Sequence, residues 1–203
     1  MTCYVRLMHK GDVAQVTEID REAFPALWPP IDYKRELGNR LAHYIVACSE
    51  REMVEESEEE AFLEKDSPGL GSMIRRLFSY KPSESVNQYI TGFAGFWIMA
   101  EEAHLASIAV RELHRHHGIG ELLLISMITL AIELNTRIIT LEVRVSNTIA
   151  QRLYYKYGFI QTGLRHHYYI DNKEDAVAMS IENITSAPFQ AHLQRLKQAH
   201  FKK

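Results

Sequence analysis

Alternation and periodicity divide the chain into short strands and amphipathic helices. Residues Tyr4 to Met8 alternate as a strand does, and Gly11-Asp12 supplies a turn and a helix cap. Val13, Val16, Ile19 and Phe24 then recur at helical spacing, until Pro25, Pro29 and Pro30 stop the helix. Asp32 predicts the cap of a second short helix, Tyr33 to Leu41, and Tyr44 to Cys48 reads as a strand. Tyr89 to Ala100 is a strongly β-forming run, Glu101-Glu102 a hairpin turn, and Ala103 to Val110 the next strand. From Glu121 to Leu134 the chain is apolar on nearly every side, which predicts a helix buried on most faces. Ile138 to Val145 is another strand, and Ser146-Asn147 caps a helix from Thr148 to Tyr157 that Gly158 ends. Phe159 to Gly163, His166 to Ile170 and Ala176 to Ile181 read as closing strands, with a turn at Asp171-Asn172-Lys173. Pro188 to Phe201 is a last amphipathic segment. This order predicts an α/β domain: a mixed, twisted β-sheet flanked by helices.

One stretch breaks the pattern. Residues 50–88 form an insertion between two predicted strands, opening with Glu50, Glu52, Glu55, Glu56, Glu58, Glu59, Glu60 and Glu64. Such a run is ordinarily a solvated helix or loop; the sharper alternative is an acidic surface for a basic partner such as a ribosomal protein. After Ser67-Pro68-Gly69, Leu70, Met73, Ile74, Leu77 and Phe78 mark a helical face that must pack on the domain, on a partner or on a membrane surface. The expected division is one domain over 1–183 carrying this helical, acidic insertion, and a helical tail over 184–203.

Composition narrows the class. The 203 residues suit one domain, with an ordinary soluble balance of 46% hydrophobic and 24% charged residues. A net charge of −3 offers no general basic field, so no direct nucleic-acid contact is expected. Cys3 and Cys48 give neither a disulfide framework nor metal-ligand spacing. The longest uncharged apolar run, Leu122 to Ile132, is too short to span a bilayer, and no apolar signal core opens the sequence. The expectation is a cytoplasmic protein, away from membranes, as a monomer or weak dimer.

Candidate chemistry concentrates around Arg115-His116-His117-Gly118-Ile119-Gly120. A β-branched strand, Ile108-Ala109-Val110, precedes this loop, and the buried helix follows. Free amides and the helix dipole favour an anion there, and glycine lets a phosphate approach the backbone. The spacing is not the dinucleotide G-x-G-x-x-G, and no Gly-Lys-Ser/Thr follows as in a Walker loop. His114, His116 and His117 lack supporting ligands at metal-binding spacing, so no metal is expected.

The six loop residues resemble the acetyl-CoA loop, Arg/Gln-x-x-Gly-x-Gly/Ala, of the GNAT N-acetyltransferases. A second signature follows: Leu141-Glu142-Val143-Arg144-Val145-Ser146-Asn147, then Ala150, Leu153-Tyr154 and Gly158-Phe159. Together they cover about residues 104–181. With Arg165-His166-His167-Tyr168-Tyr169, Glu174-Asp175-Ala176, Met179 and the aromatic loop around Phe24-Pro25, they are similar to the bacterial branch that acetylates the N-terminal alanine of ribosomal proteins. The resemblance implies a single GNAT-like domain with acetyl-CoA as co-substrate and a protein N-terminus as acceptor, a ribosomal protein being the natural candidate.

It also assigns roles. Glu142 would be the base that deprotonates the amine, directly or through water, and Tyr154 the acid that protonates the leaving thiolate. A phenol suits that role because its pKa exceeds a thiol's. The backbone of Ile108, Ala109 and Val110 would pair with pantetheine. Arg115, His116, His117, Gly118, Ile119, Gly120 and Glu121 would hold the pyrophosphate, and Asn147 would contact coenzyme A. Phe24, Trp28, Tyr168 and Tyr169 are candidates for the acceptor side. From the residues alone, Glu142 could equally pair with Arg144 or Lys156, Tyr154 could be a core aromatic, and Asn147 a plain helix cap. The chain departs from the family at Arg111-Glu112-Leu113-His114, which lacks an Asp-Pro turn, and at the insertion; both bear on the acceptor more than on the reaction. Two other readings stay open: acetylation of a small amine or lysine side chain, and a non-catalytic acyl-CoA-binding or ribosome-associated module.

Overall fold

Seven strands join into one mixed sheet in a computed structural model that describes residues 3–25, 31–49 and 88–202. They are β1 (Cys3–Leu7), β2 (Ala42–Ser49), β3 (Tyr89–Met99), β4 (Glu102–Val110), β5 (Ile138–Arg144), β6 (Ile160–Arg165) and β7 (Ala176–Ile181), in the order β1-β2-β3-β4-β5-β7-β6. Every neighbouring pair is antiparallel except β4 and β5. That parallel pairing is short and matches Glu102–Leu105 with Ile138–Leu141. Beyond Leu105, β4 continues beside β3 as far as Val110, while β5 continues beside β7 as far as Arg144. A register shift at Gly95/Phe96 breaks the β3–β4 ladder near the point of divergence. Bulges of this kind sharpen strand twist, which turns β4 away from β5.

The two faces are covered differently. Helix α1 (Val13–Ala23) packs on β3 and β4, burying Val16 and Ile19 with Tyr33, Tyr44, Ile90 and Phe93. Helix α2 (Tyr33–Glu36) is a single turn, and Tyr33 donates its hydroxyl to buried Asp20 at 2.8 Å. Gly95 is required beside this cluster, because a Cβ there would stand 2.3 Å from the Tyr44 ring. On the opposite face lies α3 (Ile119–Glu133), with eleven of its fifteen residues buried. Leu123, Leu124 and Ile128 are fully covered, each such side chain contributing about 1.5–3 kcal/mol of transfer free energy. Helices α4 (Thr148–Lys156) and α5 (Ala187–Phe201) join that core through Ala150, Leu153 and Tyr154, and through Phe189, Leu193 and Leu196.

Several expectations need correction. Asp12 stands at the N-cap position of α1 but makes no side-chain cap bond there; Arg6 and the His9 amide engage its carboxylate at 2.6–2.8 Å. The second helix stops at Glu36 rather than Leu41, because Gly38 and Asn39 already turn back to Arg35 and Glu36 and β2 begins at Ala42. The hairpin turn falls at Ala100-Glu101, with left-handed Ala100. His166 to Ile170 is a loop rather than a strand. His167 is left-handed there, its amide bonds to Asp175, and the Tyr169 amide bonds to the Glu174 carbonyl, so local bonds replace a ladder. The insertion, except Gln88, lies outside the described residues.

Candidate active site

Divergence of β4 from β5 opens the site. Ile108, Ala109 and Val110 pair with β3 on one side (Ala94, Phe93 and Gly92), and their other edge has no strand partner among the described residues. An open strand edge presents unpaired amides and carbonyls to a ligand that can pair like a strand. Arg115 folds back so that its Nε donates to the Val110 carbonyl at 3.3 Å.

The loop after β4 is shaped by left-handed backbone. His116 has φ 65° and Gly118 φ 81°, and Gly118 caps α3, its carbonyl accepting from Leu122 at 2.9 Å. Left-handed residues ahead of a helix turn amides toward a common side and form anion-binding concavities. Ile119 is buried and anchors the loop, whereas Arg115, His116 and His117 are exposed. Glu121 points elsewhere: its carboxylate accepts from Lys156 and from the Tyr157 hydroxyl (2.8 Å), and lies 3.4 Å from His200 Nδ1. Burial works to raise Glu121, but the bonds from Lys156 and Tyr157 outweigh it and hold the carboxyl below its usual value. Asn147 accepts from the Ala150 amide at 3.1 Å, a helix cap.

Glu142 sits on the face of β5 opposite the core. Ile139, Leu141 and Val143 point inward; Ile138, Thr140, Glu142 and Arg144 point out. Its side chain is only 10% exposed, and neither Arg144 nor Lys156 is the ion-pair partner seen here. Arg165 Nε donates to Oε1 at 2.7 Å, and His104 Nε2 lies 3.4 Å from Oε2. The Thr140 hydroxyl gives its proton to Glu102 at 2.5 Å and so accepts from His104 Nδ1 at 2.9 Å. That bonding leaves the Nε2 edge of His104 facing Glu142.

Tyr154 is half-buried on α4, its ring 5.4 Å from that of Phe159. Burial, then the neighbouring Tyr169, push its phenol above the usual range. Tyr169 also feels Glu142, so its phenol is influenced by one candidate catalytic group and influences the other. Burial pushes Tyr169 up to about 12 despite the opposing Arg144. Arg144 builds this wall: its guanidinium lies 3.8 Å from the Tyr169 ring centroid while gripping Asp171 and Glu174. Tyr168 meets Tyr169 edge-on at 5.2 Å and is exposed. Phe24 is half-buried against the α1–α2 cluster, and Trp28 lies outside the described residues.

Three residues near the site were given no catalytic or binding role from sequence: His104, Arg165 and Arg144. Arg144 and Arg165 both stand inside the quoted signatures, so that signal was available; a lone histidine in a strand carries none. Ser107 adds a buried hydroxyl on β4 without a hydrogen-bond partner among the described residues. No cluster of three potential metal ligands occurs among the described residues, and no helix there is long and apolar enough to cross a membrane.

A sheet that splays between two central strands, with a left-handed loop and helix N-terminus at the opening, offers an unpaired strand edge next to an anion-binding turn. The profile of the Acetyltransferase (GNAT) family matches residues 13–159, and the chain belongs to that family. Among its relatives, a Bacillus subtilis protein is 32% identical over 176 residues, covering 86% of this chain and 92% of that one. Its name assigns it provisionally to N-acetylation of the alanine of ribosomal protein bS18. An N-alpha-acetyltransferase of Sulfurisphaera tokodaii is also 32% identical, over 180 residues, covering 87% of this chain and 90% of its own. The crystal structure of the ribosomal-protein-S18-alanine N-acetyltransferase from Escherichia coli shares the fold, with a TM-score of 0.62 at 20% identity over 90% of this chain and 94% of that one. The chain is thus a GNAT N-acetyltransferase.

Proposed function

We propose that this enzyme transfers the acetyl group of acetyl-CoA to the N-terminal α-amine of a protein, with a ribosomal protein of the bS18 type as the first acceptor to test. The observation that carries the reading is Glu142, nearly buried on the outward face of β5, held by Arg165 and beside His104, on the strand from which the open edge of β4 diverges. The named activities of the Bacillus and Sulfurisphaera relatives support the same acceptor class.

In this reading pantetheine pairs with the open edge of Ile108, Ala109 and Val110, and the amides from His116 to Glu121, with Arg115, hold the pyrophosphate. Asn147 lies beside the coenzyme's path, and Tyr168, Tyr169 and Phe24 line the acceptor side. An ammonium cannot attack, so Glu142 takes one of its protons, directly or through a water, and His104 stands next to receive it. The free amine attacks the thioester carbonyl, the C–S bond breaks, Tyr154 donates its proton to the departing thiolate, and the resulting tyrosinate takes the extra proton of the attacking nitrogen as the amide forms.

Mass spectrometry of a peptide library incubated with acetyl-CoA tests the proposal. The library varies the first residue and includes internal lysines. Acetyl groups on α-amines, absent with Glu142→Gln, are expected. Acetylation confined to lysine or to small amines overturns the acceptor, and saturable acetyl-CoA binding with no transfer to any peptide or to whole ribosomal protein overturns the catalytic reading.

A further inference from the structure

Helix α5 lies against α3, and near its end His200 reaches the glycine loop. A Cβ on Gly118 would stand 3.1 Å from His200 Cε1, so the imidazole lies directly against the left-handed turn that opens α3. From the same edge of the ring, His200 Nδ1 is 3.4 Å from Glu121 Oε2, in the first turn of α3. That contact is not a hydrogen bond, and Nδ1 is buried without a hydrogen-bond partner among the described residues. The opposite oxygen of Glu121 is held by Lys156 and Tyr157, at the end of the helix that carries Tyr154. Three separate elements therefore converge on the first turn of α3: α4, α5 and the loop itself. The helix is fixed there independently of His200, by Leu193, Phe189 and Leu196 in the core and by a contact of 3.2 Å from His192 to the Lys156 carbonyl.

We propose that His200 is a positioning residue for acetyl-CoA, so that α5 forms part of the cofactor site. This rests on the acetyl-CoA reading of the loop. Amides bind a pyrophosphate only while they stay aimed at it, and a glycine turn is the part of the loop most free to move. His200 closes the space behind Gly118. With Lys156 it also draws the Glu121 carboxylate into the protein, away from the anion that the same helix end attracts. Removing it frees the turn and leaves one fewer group holding a negative charge aside.

The test measures acetyl-CoA affinity by calorimetry, with kcat and KM, on the full chain as wild type, His200→Ala and His200→Gln. His200→Ala is expected to weaken acetyl-CoA binding about tenfold, ~1.4 kcal/mol, and to raise its KM in parallel, with kcat at saturating acetyl-CoA within about twofold. His200→Gln, which keeps a polar group of similar reach, recovers most of the affinity. Melting temperature is followed alongside. Binding by both variants equal to wild type, a loss of kcat at unchanged affinity, or a lower melting temperature with unchanged affinity each overturns the inference alone. Failure of wild type to bind acetyl-CoA overturns the proposed function and this inference with it.

Discussion

Replacing Glu142 by glutamine removes a proton acceptor and leaves the shape intact. Glutamine Oε1 can still accept from Arg165 Nε, which now lies 2.7 Å from the carboxylate. Arg165 is 58% exposed, so solvent screens the ion pair and its loss costs under ~1 kcal/mol. In a domain of this size that lowers the melting temperature by at most about 4 °C. The chemical step loses far more. A positioned general base is worth roughly 10²–10⁴ in rate, which is ~2.7–5.4 kcal/mol of barrier at 1.36 kcal/mol per decade. Release of free thiol from acetyl-CoA in the presence of an acceptor peptide reads kcat, and calorimetry reads acetyl-CoA affinity. The expected result is a fall in kcat of two to four decades with affinity unchanged. A kcat within threefold of wild type refutes Glu142 as the base. A weakened affinity with normal turnover places Glu142 in binding instead.

Tyr154→Phe keeps the ring that meets Phe159 and removes the phenolic hydroxyl; thiol release is expected to slow by roughly 10²-fold or more, with circular dichroism melting little changed. Asp12→Asn breaks the charge pair with Arg6, whose partners are 9% and 17% exposed, and is expected to cost about 2–3 kcal/mol, below the ~3–5 of a fully buried pair. Burial pushes Asp12 up, but the bonds from Arg6 and His9 prevail and hold it well below the usual carboxylate range. Its contribution is therefore present above the unfolded value of about 3.9 and lost as pH falls toward the folded one. Urea denaturation should show wild type losing stability below about pH 4 more steeply than Asp12→Asn. Ser107→Ala deletes a buried hydroxyl that has no partner among the described residues and should raise the melting temperature by about 2–4 °C, for ~1 kcal/mol. A lower melting temperature would mean that the hydroxyl is bonded in solution.

Much of this arrangement was legible in the chain because its parts are contiguous. The strand Ile108-Ala109-Val110, the glycine loop and the buried helix follow one another, so strand, turn and helix signals reinforce each other within one stretch. Glu142, Asn147 and Tyr154 were legible for the same reason, as a strand, a cap and a helix face in succession. What escaped depends on pairing between distant segments. Arg165 reaches Glu142 only because β7 lies between β5 and β6, with Ala178 opposite both Glu142 and Gly163. His104 meets Glu142 because β4 and β5 run parallel there, setting His104 opposite Thr140. Neither register leaves a mark on local periodicity, which is the same in a parallel and an antiparallel strand. Aromatic enrichment misled at Tyr168-Tyr169: the same composition that favours a strand serves here as a wall stacked on Arg144.

The helical period of α5 was equally legible, but a period tells which residues share a face and not what that face meets. His200 next to Gly118 is a contact across about eighty residues of sequence, made by a side chain whose neighbours, Gln198, Ala199 and Phe201, give no hint of a ligand. The open edge of β4 has the same character. It arises where a four-residue parallel pairing stops at Leu105, and the strand beyond it is as regular and apolar as the strand before. A candidate site of this kind is made by the end of a pairing, and the residues at that end are read from their partners.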